Sequence, residues 1–451
     1  MKTTAVILAA GQGTRMKSEL PKVLHQVLGK PMIQWVIDSV KAAEADTIIT
    51  VLGHKGEAVA EVVGEQTQVV YQREQLGTGH AVMQAAEHLA DEAGCVLVIC
   101  GDTPLLTAET LKALLAKHQE EHNAVTVLTA KASDPHGYGR MIRKDDRIVA
   151  IVEEKDADEA QKAITEINAG TYCFDQHFLL GALQGLKTDN AQGEYYLTDV
   201  IKMAVEQGLT VGGYLLADFE ESLGVNNRVQ LAQAEKIMRQ RKLRELMLNG
   251  VTIIDPEHTY VDMDVQVGQD TILAPGVILE GQTRVGCRCR IGANTRLTDA
   301  VVGDETTVQN SIIWESTVGS RCQIGPFAYI RPGSVLADEV KVGDFVELKK
   351  AQVASGSKIP HLSYVGDATI GAHVNIGCGT ITCNYDGKNK HQTVIEDNAF
   401  IGSNTNLVAP VTIHEGATIG AGSTISKDIP ANSLGLTRPE LKIKENWRKN
   451  K

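Results

Sequence analysis

Residues able to do chemistry gather at a few places in this chain of 451 residues. One is LAAGQGTRM, which continues to Pro21-Lys22. Gly11 and Gly13 let backbone N–H groups come close to phosphate oxygens, and Arg15 and Lys22 supply positive charge where a transferring phosphoryl group develops negative charge. By composition this is a phosphate cradle. It is not a P-loop, because the Gly29-Lys30 pair of this half is followed by Pro31 and lacks the Ser or Thr that holds magnesium. GxGxxG is also missing, since position 16 is Met. A second place is CGDTPLL, where Asp102 follows an apolar run as either a functional carboxylate or a helix cap. A third is HLSYVGD, where His361 stands near Tyr364; an imidazole titrates close to neutral pH and so suits a general base.

Short aliphatic runs alternate with amphipathic stretches over residues 1–226: TTAVILAA, PMIQWVIDSVKAAE, TIITVL, HAVMQAAEHLADEA, CVLVICGD. That alternation predicts a mostly parallel sheet covered by helices, an α/β Rossmann-like domain, with ligands at the carboxyl ends of strands. AAGQGTRM and CGDTPLL both fall there. Residues 227–250 predict a linker helix that Gly250 ends. From 251 the period becomes six, through Val267, Leu273, Leu279, Val285, Ile291 and Leu297, then Val318 to Leu348, Val353 to Ile376 and Ile395 to Ile425. Gly often follows the aliphatic, as in Val342-Gly343 and Ile401-Gly402. A period of six fits a three-sided prism in which aliphatics point into a narrow core and small residues turn the corners. Residues 251–451 therefore predict a hexapeptide β-helix, of about ten coils over 251–437 stacked at ~4.8 Å, with a basic tail after it; the families it resembles wind left-handed. One insertion, CNYDGKNKHQ at 383–392, leaves the rod without adding to its core, which points to a function.

Composition narrows the classes further. Lys plus Arg is 44 and Asp plus Glu 56, so the net charge is −12, which argues against a nucleic-acid surface. No run approaches the roughly 18 apolar residues of a membrane span, and the amino end has no signal-peptide pattern. Eight Cys without CxxC spacing read as reduced thiols, so the expected location is cytoplasmic.

LAAGQGTRM with PK, QLGTGHA, GDTPLL, GYGR, EIN and GVNNR resembles the sugar-nucleotide pyrophosphorylases. With the hexapeptide rod attached, essentially the whole chain resembles the bifunctional N-acetylglucosamine-1-phosphate uridyltransferase/glucosamine-1-phosphate N-acetyltransferases. The resemblance implies acetyl transfer from acetyl-CoA to glucosamine 1-phosphate in the rod. The sheet domain then joins N-acetylglucosamine 1-phosphate to UTP, releasing pyrophosphate and forming UDP-N-acetylglucosamine, a precursor of cell-wall peptidoglycan and lipopolysaccharide. It also implies residue roles. Leu8, Ala10, Gly11, Gln72, Gly77 and Thr78 would hold the uridine end, Arg15 and Lys22 the phosphates, and Gly139, Glu153 and Asn168 the sugar. Asp102 and Asn226 would hold Mg²⁺; a carboxylate and an amide oxygen suit a hard cation that keeps several waters. Relatives often have Tyr before the Gly-Asp pair, where this chain has Cys100, so a phenolic contact from that position is lost.

In the rod the resemblance makes His361 the base for the amine, with Arg331, Lys349, Tyr364, Asn375 and Lys390 on the sugar phosphate. Cys378, Asn384, Tyr385, Ser403, Ala421 and Arg438 would line the acetyl-CoA groove. Cys378 stands where relatives often have Ala. The groove is expected between rods of a homotrimer, and the basic tail KIKENWRKNK is a candidate for the CoA phosphates. His25 and His80 only flank motifs. Two other readings are a pyrophosphorylase of another sugar whose β-helix regulates or oligomerises, and a non-enzymatic scaffold. His361 and the NYDGKNK loop argue against the first, and the occupied phosphate and metal positions against the second.

Overall fold

The computed structural model describes residues 2–89, 94–445 and 447–448. The chain forms two compact units, Met1–Met238 and Arg239–Lys451, which divide inside the helix Arg228–Leu248. Gly250, at φ 92°, follows the end of that helix in the left-handed region that a side chain disfavours.

The first unit is built on a nine-stranded sheet. Its main order is Val211–Leu215, Val125–Lys131, Glu166–Asp175, Gly94–Cys100, Lys2–Ala9, Thr47–Leu52, Gln68–Tyr71. Only Glu166–Asp175 runs against its neighbours on this path. The hairpin Arg140–Lys144 and Arg147–Val152 joins it at the side through Ile167 and Arg140. Apolar runs form the central strands because both faces are covered: Val6, Val96 and Val98 enter one core, and Ala5, Ile7, Leu97 and Ile99 the other. Leu8 pairs with Cys100, so the chain leaves two adjacent parallel strands side by side at Ala10-Gly11 and Gly101-Asp102. One element differs from expectation. The stretch beginning at His80 is helical only to Ala85, followed by a 3₁₀ turn at Ala86–His88, and residues 90–93 lie outside the described residues.

The second unit is a parallel β-helix with three sheets of 11, 10 and 9 strands. Neighbouring strands stack one coil apart, as Ile291 on Val308 on Ile324 on Val342. The period-six aliphatics are buried, apart from Val267, which packs at the rim of the core. The core also takes polar residues that the period did not mark. Thr271, Thr283, Thr295, Ser334 and Ser357 are fully enclosed; Thr271 Oγ1 donates to Gly286 O at 2.7 Å and Ser357 Oγ to Gly371 O at 2.6 Å, whereas Thr295 Oγ1 has no partner among the described residues.

Corners are turned mainly by non-glycine residues at positive φ, including Asn294, Phe327, Phe345, Leu362 and Asn404. The glycine after an aliphatic serves a different purpose from the expected corner. A Cβ on Gly343 would stand 1.8 Å from Pro360 O, so it is the approach of the next coil that demands glycine. Cys383 ends the strand Ile381–Cys383, so the excursion begins at Asn384, one residue later than expected. It is closed on itself by a Tyr385–Lys390 bridge.

Candidate functional site

In the first unit, four residues distant in sequence meet at the carboxyl ends of the central strands. Lys22 Nζ donates to Asp102 Oδ2 and, at 3.1 Å, to Asn226 Oδ1. Arg15 Nη2 donates to the same Asn226 oxygen at 3.0 Å. Val225 N–H donates to Asp102 O at 2.9 Å and holds the two loops together. Gly13 is required here because a Cβ would stand 2.8 Å from Lys22 Cβ, whereas one on Gly11 would meet nothing within 4 Å. The Gly11 backbone therefore faces space a substrate can fill. Two oxygens, one from a carboxylate and one from an amide, converge on a single cation, the donor set that a hard metal ion with water and phosphate ligands requires. Among the described residues there is no cluster of three or more His, Cys, Asp or Glu able to hold a metal.

Gln72 follows the strand Gln68–Tyr71, and its side chain donates to Gly77 O at 3.0 Å. Gly77 has φ 105°, and a Cβ there would stand 2.7 Å from Tyr195 O. Thr78 opens the next helix and accepts from Leu197 N at 3.2 Å. With Leu8 and Ala10 at the end of the first strand, these residues lie on neighbouring strands of one sheet edge.

Gly139, Glu153 and Asn168 also come together: a Cβ on Gly139 would lie 3.5 Å from Glu153 Oε2 and 3.6 Å from Asn168 Cβ. Asn168 donates to the Tyr172 phenol at 2.6 Å. Tyr172 was missed in sequence, and the irregular register between Asn168 and Tyr172 is what brings it behind this wall. The wall thus has a phenol although position 100 is Cys, whose thiol is pushed up to about 12 by burial with Asp102 beside it.

Burial also raises the Glu153 carboxyl, against a hydrogen bond from Thr198 Oγ1 at 3.2 Å. Because its folded pKa lies above the unfolded one, the ionised form costs stability as pH rises through that range. Glu153→Gln is therefore expected to raise Tm at pH 7 by roughly 2 °C, with the gain fading towards pH 4; thermal scans at the two pH values check it. A cavity of 500 Å³ at the opposite edge of the sheet, lined in part by His118, His122 and Asp175, contains none of these residues.

In the second unit His361 ends the strand Lys358–His361, directly over Asp344 of the coil before, and its Nδ1 lies 2.5 Å from Asp344 Oδ1. The imidazole holds the Asp344 carboxyl below the usual range. The corner at Leu362 then places Tyr364 on the next face. There Arg331, Lys349 and Gly366 stack in register, and Arg331 donates to Glu347 at 2.7 Å. The excursion brings Lys390 beside Lys349, and the second ammonium lowers the Lys390 pKa. Two such cations side by side could hold an anion. Asn375 lies on the coil after His361, opposite Lys358.

Cys378, Ser403, Ala421 and Arg438 form a column. Asn404 N–H donates to Cys378 O at 2.7 Å, Gly422 N–H to Ser403 O at 2.8 Å and Arg438 Nε to Ala421 O at 3.3 Å. Asn384 and Tyr385 follow the next strand round instead; Asn384 donates to Asp367 at 2.5 Å and Tyr385 to Gly387 O at 2.7 Å. Asp344 and Asp367 were missed, although each lies 17 residues, one coil, before its partner. In the tail, Lys444 stands over Trp447, while Asn446 and Lys449–Lys451 lie outside the described residues.

A nucleotide-transferring sheet domain followed by a hexapeptide transferase is the class these features define. Residues 5–170 match the MobA-like NTP transferase domain, 256–353 the GMPPB C-terminal domain, and 392–427 the bacterial transferase hexapeptide (six repeats). Over 447 residues the chain is 56% identical to the bifunctional protein GlmU of Heliobacterium modesticaldum, covering 99% of this chain and 98% of that one. It is 53% identical to that of a Geobacillus species over 448 residues (99% and 98%), and 50% identical to that of Listeria innocua over 450 (100% and 98%). The chain belongs to the GlmU family. It is a bifunctional transferase, with a nucleotidyltransferase half and a left-handed β-helix acyltransferase half. Among the described residues no helix is long and apolar enough to cross a membrane, and all eight cysteines are free thiols.

Proposed function

We propose that the rod acetylates glucosamine 1-phosphate with acetyl-CoA and that the sheet domain then couples the product to UTP, yielding UDP-N-acetylglucosamine and pyrophosphate. One observation carries this most directly: a single chain holds both a Lys22–Asp102–Asn226 cluster at the strand ends and a His361–Asp344 pair beside stacked cations. In the second step the sugar phosphate, already ionised, attacks the nucleotide's α-phosphorus, and no protein nucleophile is needed. Leu8, Ala10, Gly11, Gln72, Gly77 and Thr78 hold the uridine end, Gly139, Glu153 and Asn168 the sugar, and Arg15 and Lys22 neutralise phosphate charge. Asp102 and Asn226 would hold Mg²⁺, which would supply positive charge to offset that of the phosphates.

In the first step His361 takes a proton from the amine. Asp344 engages Nδ1, so Nε2 is the nitrogen that accepts, while the C–N bond forms and the thioester C–S bond breaks. Arg331, Lys349, Tyr364, Asn375 and Lys390 hold the sugar phosphate, and Cys378, Asn384, Tyr385, Ser403, Ala421 and Arg438 the acetyl-CoA. The reduced thiols and these substrates fit a cytoplasmic enzyme, and the nucleotide sugar fits supply of cell-wall precursors. Leaving acetyl-CoA out of a mixture of glucosamine 1-phosphate, UTP and Mg²⁺ is expected to stop nucleotide-sugar formation, and adding N-acetylglucosamine 1-phosphate to restore it. Failure of that restoration would count against the order of steps.

The working unit in this proposal is a homotrimer. Its support is an exposed apolar ridge at the corner beside His361: the Phe327 and Phe345 rings stack at 5.2 Å, and Leu362 continues the line one coil on. Exposed apolar side chains in such a line mark an interaction surface. Phe345→Arg is expected to give monomers by light scattering that lose acetyl transfer and keep uridylyl transfer. A native monomer with full acetyltransferase activity would contradict the shared groove.

A further inference from the structure

His80, which sequence leaves at the edge of a motif without a role, meets Gln72 across the turn at Gly77. Gln72 is only 3% exposed, and its backbone N–H donates to Leu52 O at 2.7 Å, so it is fixed at its strand end. Its carboxamide nitrogen stands 3.0 Å from Gly77 O and 3.0 Å from His80 Nδ1. A backbone carbonyl can only accept, so the Gly77 contact settles which end of the carboxamide is the NH₂. One amide proton goes to Gly77 O and the other to His80 Nδ1, which puts the single proton of a neutral ring on Nε2. His80 Nε2 faces Gln84, one turn along the same helix, at 3.2 Å from its side-chain nitrogen. The ring cannot accept from both carboxamides. Gln72 is the more constrained of the two, being buried and tied to Gly77 as well as to the ring. Half-exposed Gln84 is the one to turn, exchanging its 3.1 Å contact with His80 O for one in which its oxygen accepts from the ring.

The consequence falls on Gln72 Oε1, which no donor reaches among the described residues. With both amide protons committed, this side chain offers a substrate only a carbonyl oxygen. Uracil carries a hydrogen on ring N3, whereas cytosine has a lone pair there. We infer that His80 is a positioning residue for nucleotide selectivity: it takes the second amide proton of Gln72 and so leaves a group that accepts from uracil and repels cytosine. The inference rests on the proposed placing of Gln72 at the uracil. A purely structural role for His80, packing its ring against Tyr195 at 6.2 Å, would affect both nucleotides alike.

The test compares kcat/KM for UTP and for CTP in the full-length enzyme, with N-acetylglucosamine 1-phosphate as co-substrate. His80→Ala frees one amide N–H and is expected to lower the UTP:CTP ratio on the order of tenfold, chiefly through a gain with CTP. His80→Asn puts a carbonyl oxygen where Nδ1 stood and is expected to restore the ratio. Equal losses with both nucleotides in His80→Ala, or an Asn variant as unselective as the Ala one, would overturn the inference. Gln72→Ala separates it from the reading beneath. If that variant collapses the ratio and His80→Ala does not, only the role of His80 is lost; if it leaves the ratio intact, uracil does not lie at Gln72 and the inference falls with that placing.

Discussion

His361→Ala is expected to lower acetyl transfer by ~10² to 10⁴-fold, the range for loss of a general base, and to leave uridylyl transfer intact. The expectation follows from position as well as residue type. His361 ends a strand of the rod, its Nδ1 is held by Asp344, and the corner at Leu362 sets Tyr364 on the adjoining face beside the Arg331–Lys349 stack. The side chain is half-exposed on a rigid coil and contributes nothing to the aliphatic core, so its removal should not unfold the rod. Separate assays with glucosamine 1-phosphate plus acetyl-CoA, and with N-acetylglucosamine 1-phosphate plus UTP, check both halves. Equal damage to both activities would point to misfolding, and undiminished acetyl transfer would make His361 a structural residue.

Asp102→Ala is expected to cost uridylyl transfer at least ~10²-fold while sparing acetyl transfer. Asp102 and Lys22 are both largely buried, and Lys22 also reaches Asn226, so the variant loses a proposed ligand for Mg²⁺ and also the partner that positions the Lys22 ammonium. Raising the Mg²⁺ concentration should recover little of the loss, because the carboxylate that aligns Lys22 is absent at any metal concentration. Near-normal uridylyl transfer would leave Asp102 as a cap after its strand.

Much of this arrangement is legible in the sequence, for reasons that differ between the halves. In the rod, one residue in six must enter a narrow core, so the aliphatic ladder from Leu273 to Ile425 appears as a period and is found buried. The buried Thr and Ser escaped notice because a hydroxyl enclosed by the next coil's carbonyls has the sequence signature of a surface residue. Asp344 escaped because the coil length varies: Gln323 stacks on Lys341 18 residues on, Ile291 on Val308 17 on, and Asn375 on Phe400 across the excursion, 25 on. The vertical neighbour of His361 therefore could not be read from a fixed repeat. In the sheet domain the motif residues were visible as strings. What joins them is the pairing of Leu8 with Cys100, which brings residues near 10 and near 102 to one edge, and this is a tertiary fact. Tyr172 was hidden for a similar reason, since the strand irregularity after Asn168 decides which side chain backs the wall of Gly139, Glu153 and Asn168.

One chain is proposed to attach both the acetyl group and the uridylyl group to the same sugar. Incubating the purified protein with glucosamine 1-phosphate, acetyl-CoA labelled with ¹³C at both acetyl carbons, UTP and Mg²⁺, and weighing the nucleotide sugar by mass spectrometry, tests it directly. UDP-N-acetylglucosamine carrying both labelled carbons is expected. A nucleotide sugar without the label, or labelled N-acetylglucosamine 1-phosphate that is never joined to uridine, would contradict it.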